Sequence, residues 1–484
     1  MSSKHSWKRF IFILVDGSPY QVFNDLVQDG TLPNIKKYVI DRGSFKKAVT
    51  AFPSTTGPAF IPFFMGQFPG SANLPGIRWL SKKQFQNPCR FRSPGICSYM
   101  GMAALSFSAH LPDSPTLFNF FSPVNNIYNI LTRGCPPSGD LTRRIKPLAY
   151  TYGHFSERWR FVNAIASRKL LKAVKGGAEF IMCLFPAVDT FSHLSHTRSP
   201  DVMDTYREVD KTVGEVCQIL QSSKEFDDTL IMVTSDHGMS NTHTHIDLPR
   251  HLDNLGWRCL HYPLLWRRRT RSASMVSGNG MTHLYFRGEE SDNGGFTSKP
   301  QKGWGERLSF EQLNRLGVIQ PLLEIEGLAF VTGQSEEGAI IVQNKTGVGK
   351  IICEDETFSY QFQGIDPLGY GVCHQNLSSR DALIQTYDSE YPDGLVQLWQ
   401  IFQGHRTGDL VLSAHPGYDL RARYEYPEHH ATHGALNAEQ MFVPLAINLP
   451  IETEFVRTVD LFPTVLSQFG RTVEPSQIDG QILC

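Results

Sequence analysis

The chain has 484 residues, 41% of them hydrophobic and 19% charged, with a formal net charge of −1. That length and apolar content support one large domain or two to three smaller ones, and exclude a disordered or fibrous chain. The balanced charge argues against a nucleic-acid polymer as partner, since such binding shows as a basic surplus.

Lys8 and Arg9 precede the apolar run Phe10–Val15, which imitates a short signal peptide. The run is short, ends in Asp16-Gly17 and has no small-residue cleavage site, so it predicts a first buried strand instead. Phe52-Pro-Ser-Thr-Thr56-Gly-Pro-Ala-Phe60 then supplies hydroxyls just before a predicted helix. Pro58 suits the first helical turn, where free N–H groups favour a phosphate oxyanion. Ile181–Phe185 and Thr229–Thr234 repeat the continuous apolar pattern of a central parallel strand. Each is followed within a few residues by an acid, Asp189 and Asp236. In open α/β sheets ligands bind beyond the carboxyl ends of the strands, so three strands deliver carboxylates to one edge. Between the last two, Pro200–Ser222 has a helical apolar period and reads as a crossover.

From about 250 to 407 the pattern changes. Trp266-Arg-Arg-Arg-Thr-Arg271, the glycine-rich turn Ser277–Gly280 and short strand-like pieces at Leu328–Thr332 and Ala339–Val342 read as an inserted α+β cap. The core returns near Gly408, with an apolar strand over Met441–Ile447 and a closing helix over Thr458–Phe469 that Gly470 ends. The expected organisation is an α/β catalytic core in two parts, 1–250 and 408–484, with a substrate-selecting insertion at 251–407. Nine cysteines, at 89, 97, 135, 183, 217, 259, 353, 373 and 484, form no CxxC pair. They read as reduced thiols. No run approaches the ~20 apolar residues of a spanning helix. A cytoplasmic protein with no membrane span is expected.

Each piece of chemistry is weak alone. Asp189-Thr-Phe-Ser-His193 is a D-x-x-x-H pair, which on a helical turn projects both side chains to one face and one metal. The same residues also read as a capping Asp with an incidental His. Ser235-Asp236-His237-Gly238-Met239 follows a strand, and Gly238 allows the tight backbone that lets Asp and His meet one ion. Asp16-Gly17 is also ordinary turn chemistry. In Thr432-His433-Gly434, His429 and His430 compete for the same role; His433 is favoured by the glycine and strand that follow. A threonine hydroxyl is a poor nucleophile unless a base or metal activates it. Together, in order and at strand ends, these residues can build two adjacent divalent-metal sites with a hydroxyl between them, which is equipment for phosphate-ester hydrolysis.

At that point the chain resembles the alkaline phosphatase superfamily, and within it the type I phosphodiesterase/nucleotide pyrophosphatase family. An Asp-Gly after the first strand, a Pro-Ser-x-Thr-x-Pro segment, D-x-x-x-H, S-D-H-G-M and a late His-Gly all stand here in that order. The late VDLFPTVLSQFG and the closing Ile478-Asp-Gly-Gln-Ile482 are similar as well. The resemblance implies an alkaline-phosphatase-like core with a central, mostly parallel sheet flanked by helices. It implies two divalent ions, zinc or manganese. Asp189, His193 and His433 would hold one ion. Asp16, Asp236 and His237, with the Thr56 oxygen, would hold the other. The matching frame selects Thr56 over Thr55 as nucleophile, through a phospho-Thr56 intermediate. Phosphodiesters or pyrophosphate bonds of a small phosphorylated substrate are the implied targets. The alternatives are a phosphomonoesterase, phosphonate hydrolase or phosphotransferase on the same core, or a non-catalytic phospho-ligand sensor. An asparagine that the family uses on a nonbridging phosphate oxygen is missing here. Asn73 or Arg78 could replace it, Arg78 bidentately, although Arg78 also reads as a surface residue.

Weaker features remain. The 266–271 run suits a polyanion or an anionic membrane surface, but also a solvated loop. His243 and His245 lie near the metal segment. Gly347–Lys350 only imitates a P-loop.

Overall fold

The computed structural model describes residues 7–85, 95–267, 269–288 and 304–483. Seven strands form the central sheet: β1 (Arg9–Val15), β2 (Ser44–Val49), β3 (Val124–Ile127), β4 (Phe180–Phe185), β5 (Thr229–Thr234), β6 (Phe442–Ile447) and β7 (Val456–Arg457). Their order is β7-β2-β6-β5-β1-β4-β3. β3, β4, β1 and β5 run parallel, as do β2 and β7. Only β6 runs against its neighbours. Every residue of β1, β4 and β5 is buried. Both faces are covered, which is why these strands read as unbroken apolar runs and not as an alternation. The helix Trp159–Lys175 packs on β4 and against the crossover helix Pro200–Ser222.

Register sets the site. Val15 lies opposite Phe185, and Leu14 opposite Thr234. The carboxyl ends of β4, β1 and β5 are therefore level, and Asp16 and Asp236 each stand two residues beyond the Leu14–Thr234 pair. A one-residue slip would turn every side chain of β1 to the other face.

The expected insertion is organised as one large sheet of nine strands. Its strands run from Cys259–His261 to Leu410–Ala414, so the last of them lies beyond residue 408, where the core was expected to resume. Neighbours are antiparallel throughout, apart from the outermost pair, Cys259–His261 with Ser272–Ser277. A buried bidentate ion pair ties it to the core: Arg457 of β7 donates Nε to Asp393 Oδ2 at 2.8 Å and Nη2 to Oδ1 at 2.5 Å. Gly347–Lys350 lies inside the strand Gly347–Glu354, paired on both sides, and is no phosphate loop. In the basic run, Arg267 pairs with Asp253 at 2.9 Å and Arg271 stacks over Trp257. Arg268, like Cys89 and Cys484, lies outside the described residues.

Candidate active site

Seven residues from five segments converge at the carboxyl edge of the sheet. Asp16 follows β1 directly, and Gly17 turns the chain at a φ of +66°. A Cβ there would sit 2.7 Å from the Asp189 Cβ, so only glycine lets the two loops touch. Asp189 and His193 share one face of the helix Ala187–Leu194. Asp236 and His237 follow β5 and are fully buried. His433 arrives from the loop before β6, and Ser54 fastens it to the Thr56 segment. The Ser54 hydroxyl donates to the Ala435 carbonyl at 2.7 Å and accepts from the Gly434 N–H at 3.1 Å. Thr56 is the only residue between 51 and 66 that is not buried.

The Thr56 hydroxyl lies 3.1 Å from Asp16 Oδ1 and 3.0 Å from His237 Nε2. His237 Nε2 is in turn 3.6 Å from Asp16 Oδ1 and 3.5 Å from Asp236 Oδ2. On the other side, Asp189 Oδ1 is 3.3 Å from His193 Nε2 and 3.7 Å from His433 Nε2. Two ligand atoms on one tetrahedral zinc-type ion stand about 3.3 Å apart, near the Asp189–His193 and Asp236–His237 distances. The groups of three whose ligand atoms all lie within 4.8 Å are Asp16, Asp236, His237 and Asp189, His237, His433, with His193 outside both. The His237 and His433 rings stack at 3.9 Å, which makes the two sets neighbours and leaves His237 within reach of either.

Three further observations fit a pair of cations. Asp189 Oδ1 and Asp236 Oδ2 are buried and accept no hydrogen bond. All three imidazoles turn Nδ1 to a backbone carbonyl: His193 to Ala431 at 2.7 Å, His237 to Gly238 at 3.0 Å and His433 to Ser54 at 3.1 Å. With the proton on Nδ1, each Nε2 lone pair is left facing the cluster, as a metal-bound histidine requires. The electrostatics agree. Burial, then Asp236 and Asp189, pushes the Asp16 carboxyl well up. Burial raises Asp236 against the pull of His237. Burial, then His237, holds His433 well down and neutral. At Asp189 burial is outweighed by His193, His433 and His237, which hold its carboxyl below the usual range. So many buried carboxylates in one place call for added positive charge.

Asn73 and Arg78 make their contacts elsewhere. Asn73 bonds the His405 ring at 3.1 Å and accepts from the Arg406 N–H at 3.0 Å. Arg78 is buried, not a surface residue, and faces a separate cleft. His245 bonds Asp419 at 2.9 Å. Sequence reasoning placed the turn Ser277–Gly280 in the cap and not at the site, yet its Gly278 lies where a Cβ would come 2.6 Å from His433 Nδ1. It weighed His429 against His433 for the metal role and set it aside; the His429 ring stacks on His193 at 4.0 Å. Asn279 links His429 to Glu425. No local pattern marks these contacts, although two glycines flanking Asn279 are a signal of close backbone approach.

Two carboxylate–imidazole sets around one accessible hydroxyl, at the carboxyl edge of a mostly parallel sheet, define a phosphoester hydrolase of the alkaline phosphatase superfamily. The family model described as type I phosphodiesterase/nucleotide pyrophosphatase matches residues 10–294, and the chain belongs to that family. No curated protein gave a significant match. Among solved structures, murine ectonucleotide pyrophosphatase/phosphodiesterase 5 is similar at a TM-score of 0.58 and 12% identity, over 98% of this chain and 97% of that one. Its human counterpart aligns at 0.57 and 12%, with the same coverage. Phosphonoacetate hydrolase from Sinorhizobium meliloti 1021, in complex with phosphonoacetate, aligns at 0.55 and 14%, over 94% of this chain and 95% of that one.

Proposed function

We propose that the chain is a metal-dependent phosphodiesterase or pyrophosphatase in which Thr56 attacks phosphorus. The observation that carries this reading is the placement of the Thr56 hydroxyl against Asp16 and His237, at the rim of the two ligand sets. Asp189, His193 and His433 would hold one ion; Asp16, Asp236 and His237, with the Thr56 oxygen, the other. When bound, two such ions supply Lewis-acid charge to the attacking and leaving oxygens of an in-line displacement. Zinc suits the mixed Asp/His set, with manganese the competitor where oxygen ligands are many.

The chain's own residues do the rest. Asp16 Oδ1 accepts the hydroxyl proton. Thr56 Oγ1 forms a bond to phosphorus while the ester oxygen departs with the electrons of the broken P–O bond. Water then attacks phosphorus and breaks its bond to Thr56 Oγ1, which takes back the proton from Asp16, while the proton released by the water goes through solvent to the departed ester oxygen. Gly17 and Ser54 hold the segments in place. A small phosphorylated molecule is the substrate. The setting is cytoplasmic, a reading supported by the seven described cysteines all being free. No helix among the described residues is long and apolar enough to cross a membrane.

The test is turnover of a nitrophenyl phosphodiester and of nitrophenyl phosphate by protein stripped and reloaded with zinc or manganese. Preference for the diester, abolished in Thr56→Ala, is expected. Preference for the monoester would move the enzyme to the phosphatase branch. Metal binding without turnover of either would favour a sensor. Full metal-dependent activity in Thr56→Ala would sink the mechanism.

A further inference from the structure

Arg78 opens the short strand Arg78–Leu80 and is only 5% exposed. Among the described residues its guanidinium has no hydrogen bond and no ion pair, and its Nε is buried without a partner. Its one specific neighbour is the Tyr262 ring, whose centroid lies 5.1 Å from Cζ. A guanidinium stays charged at any ordinary pH, and taking that charge out of water without a partner is costly. Burial, and then Arg421, weakens its hold on the proton, to a pKa of about 10. A structure that bears this cost has use for an anion at the spot.

The surroundings are built for one. Arg78 faces a cleft also lined by His261, Tyr262, Ser274, Arg421 and Arg423. Arg423 is matched by Asp247, its Nε 2.5 Å from Oδ2. The Arg421 guanidinium donates to the Tyr424 carbonyl at 2.6 Å and forms no ion pair among the described residues, although its N–H donates to Asp419 Oδ1 at 3.1 Å and Asp419 and Glu425 attract it from further off. Glu425 accepts from the Asn279 amide and the His429 N–H, and attracts both guanidiniums only from beyond ion-pair distance. Two guanidiniums without an ion pair among the described residues, in one cleft with hydroxyls beside them, form a receptor for an oxyanion.

The cleft shares a wall with the metal-ligand cluster. Val276 lines the cleft, and Gly278, two residues on, packs against His433. Leu420, which also lines the cleft, donates its N–H to the Asn279 carbonyl at 2.9 Å. Behind that wall, Glu425, Asn279, His429 and His193 are linked in a chain of contacts.

We propose that the cleft between Arg78 and Arg421 binds an oxyanion, a phosphate or carboxylate, at the far end of one ester arm of the substrate. This rests on the phosphoesterase reading for its substrate, and on the buried arginine for its chemistry. It makes the protein selective for substrates with a second anionic group, and it gives Arg78 a role away from the reacting phosphorus.

Two measurements test it. In the first, metal-stripped protein is titrated calorimetrically with inorganic phosphate, so that the ion sites do not contribute. Saturable binding is expected. It should be lost in Arg78→Met, which keeps the side-chain volume. It should weaken roughly tenfold or more in Arg421→Ala, a change at a partly exposed position that leaves the core intact, as befits a charge-assisted contact. In the second, metal-loaded protein is given two nitrophenyl phosphodiesters whose second arm ends in a carboxylate or in its methyl ester. The ratio of kcat/KM should favour the carboxylate roughly tenfold, and Arg421→Ala should erase the ratio. Arginine-dependent phosphate binding with no preference between the esters would overturn the substrate assignment and leave a site for a free anion. No phosphate binding, and a ratio that Arg421→Ala does not change, would overturn the cleft as well. Arginine-dependent phosphate binding in a protein that turns over neither ester would refute the phosphoesterase reading while upholding the cleft.

Discussion

Replacing Gly17 by alanine separates the backbone's part in the site from the ligands' part. At a φ of +66°, alanine carries the left-handed penalty, about 1–2 kcal/mol. The new Cβ would also stand 2.7 Å from the Asp189 Cβ, 2.8 Å from Oδ1 and 2.9 Å from Cα. Ordinary contact begins at 3.4 Å, so the Asp189 turn must retreat by at least the difference between 3.4 and 2.7, or 0.7 Å. Metal sites tolerate errors of about 0.2 Å. Metal affinity in Gly17→Ala should therefore fall roughly 10- to 100-fold, the range seen when the support of a ligand is lost. Gly30→Ala is the control. Its φ is +80° and nothing lies within 4 Å of the added Cβ, so it bears the backbone penalty without the crowding. Competition against a chromophoric zinc chelator reads the affinity, and thermal melts of the metal-free proteins read the backbone cost. Metal-free Gly17→Ala should melt below Gly30→Ala by the cost of the crowding, and only Gly17→Ala should lose metal affinity. Equal zinc affinity in Gly17→Ala and wild type would refute the reasoning.

Metal-free protein should show an inverted effect at Asp16. Burial raises its carboxyl in the folded state, so the stability it contributes is present below the unfolded pKa and is lost as pH rises through the folded one. Asp16→Asn should then melt higher than wild type above about pH 4, by a margin that widens with pH, and lower than wild type once zinc is added. A constant difference across pH in calorimetric scans would count against this. Lys82→Met should destabilise by about 3–5 kcal/mol in denaturant melts. It removes the partner, at 2.9 and 3.0 Å, of the fully buried Asp409; a loss under about 1 kcal/mol would show the pair to be solvated. Ser54→Ala should lower kcat with little change in metal content, because Ser54 fastens the Thr56 and His433 segments together. Unchanged kcat would remove that role.

The central strands were legible because burial on both faces leaves an unbroken apolar run, and an acid just past each run marks the edge where ligands gather. Asp189 and His193 were legible because four residues make one helical turn. The nine-stranded sheet was not, because its pairings are remote: Leu328–Gln334 lies beside Leu410–Ala414, with several helices and strands between them in sequence. A strand that finds its partner so far away leaves only short, ambiguous apolar pieces. The same holds for Glu425 and Asn279, which meet across a separation of 146 residues. Arg78 resisted reading for another reason. Nothing in sequence distinguishes an arginine buried without a partner from one on the surface, since burial is set by Tyr262 and Arg421, far along the chain.

The most direct test of the account is to quench a zinc-loaded reaction on a nitrophenyl phosphodiester in acid and map the protein by peptide mass spectrometry. The account predicts a phosphoryl ester on Thr56 that is absent from metal-stripped protein and from Thr56→Ala, both of them inactive. Steady turnover with Thr56 unmodified at every quench time, together with an active Thr56→Ala, would contradict it.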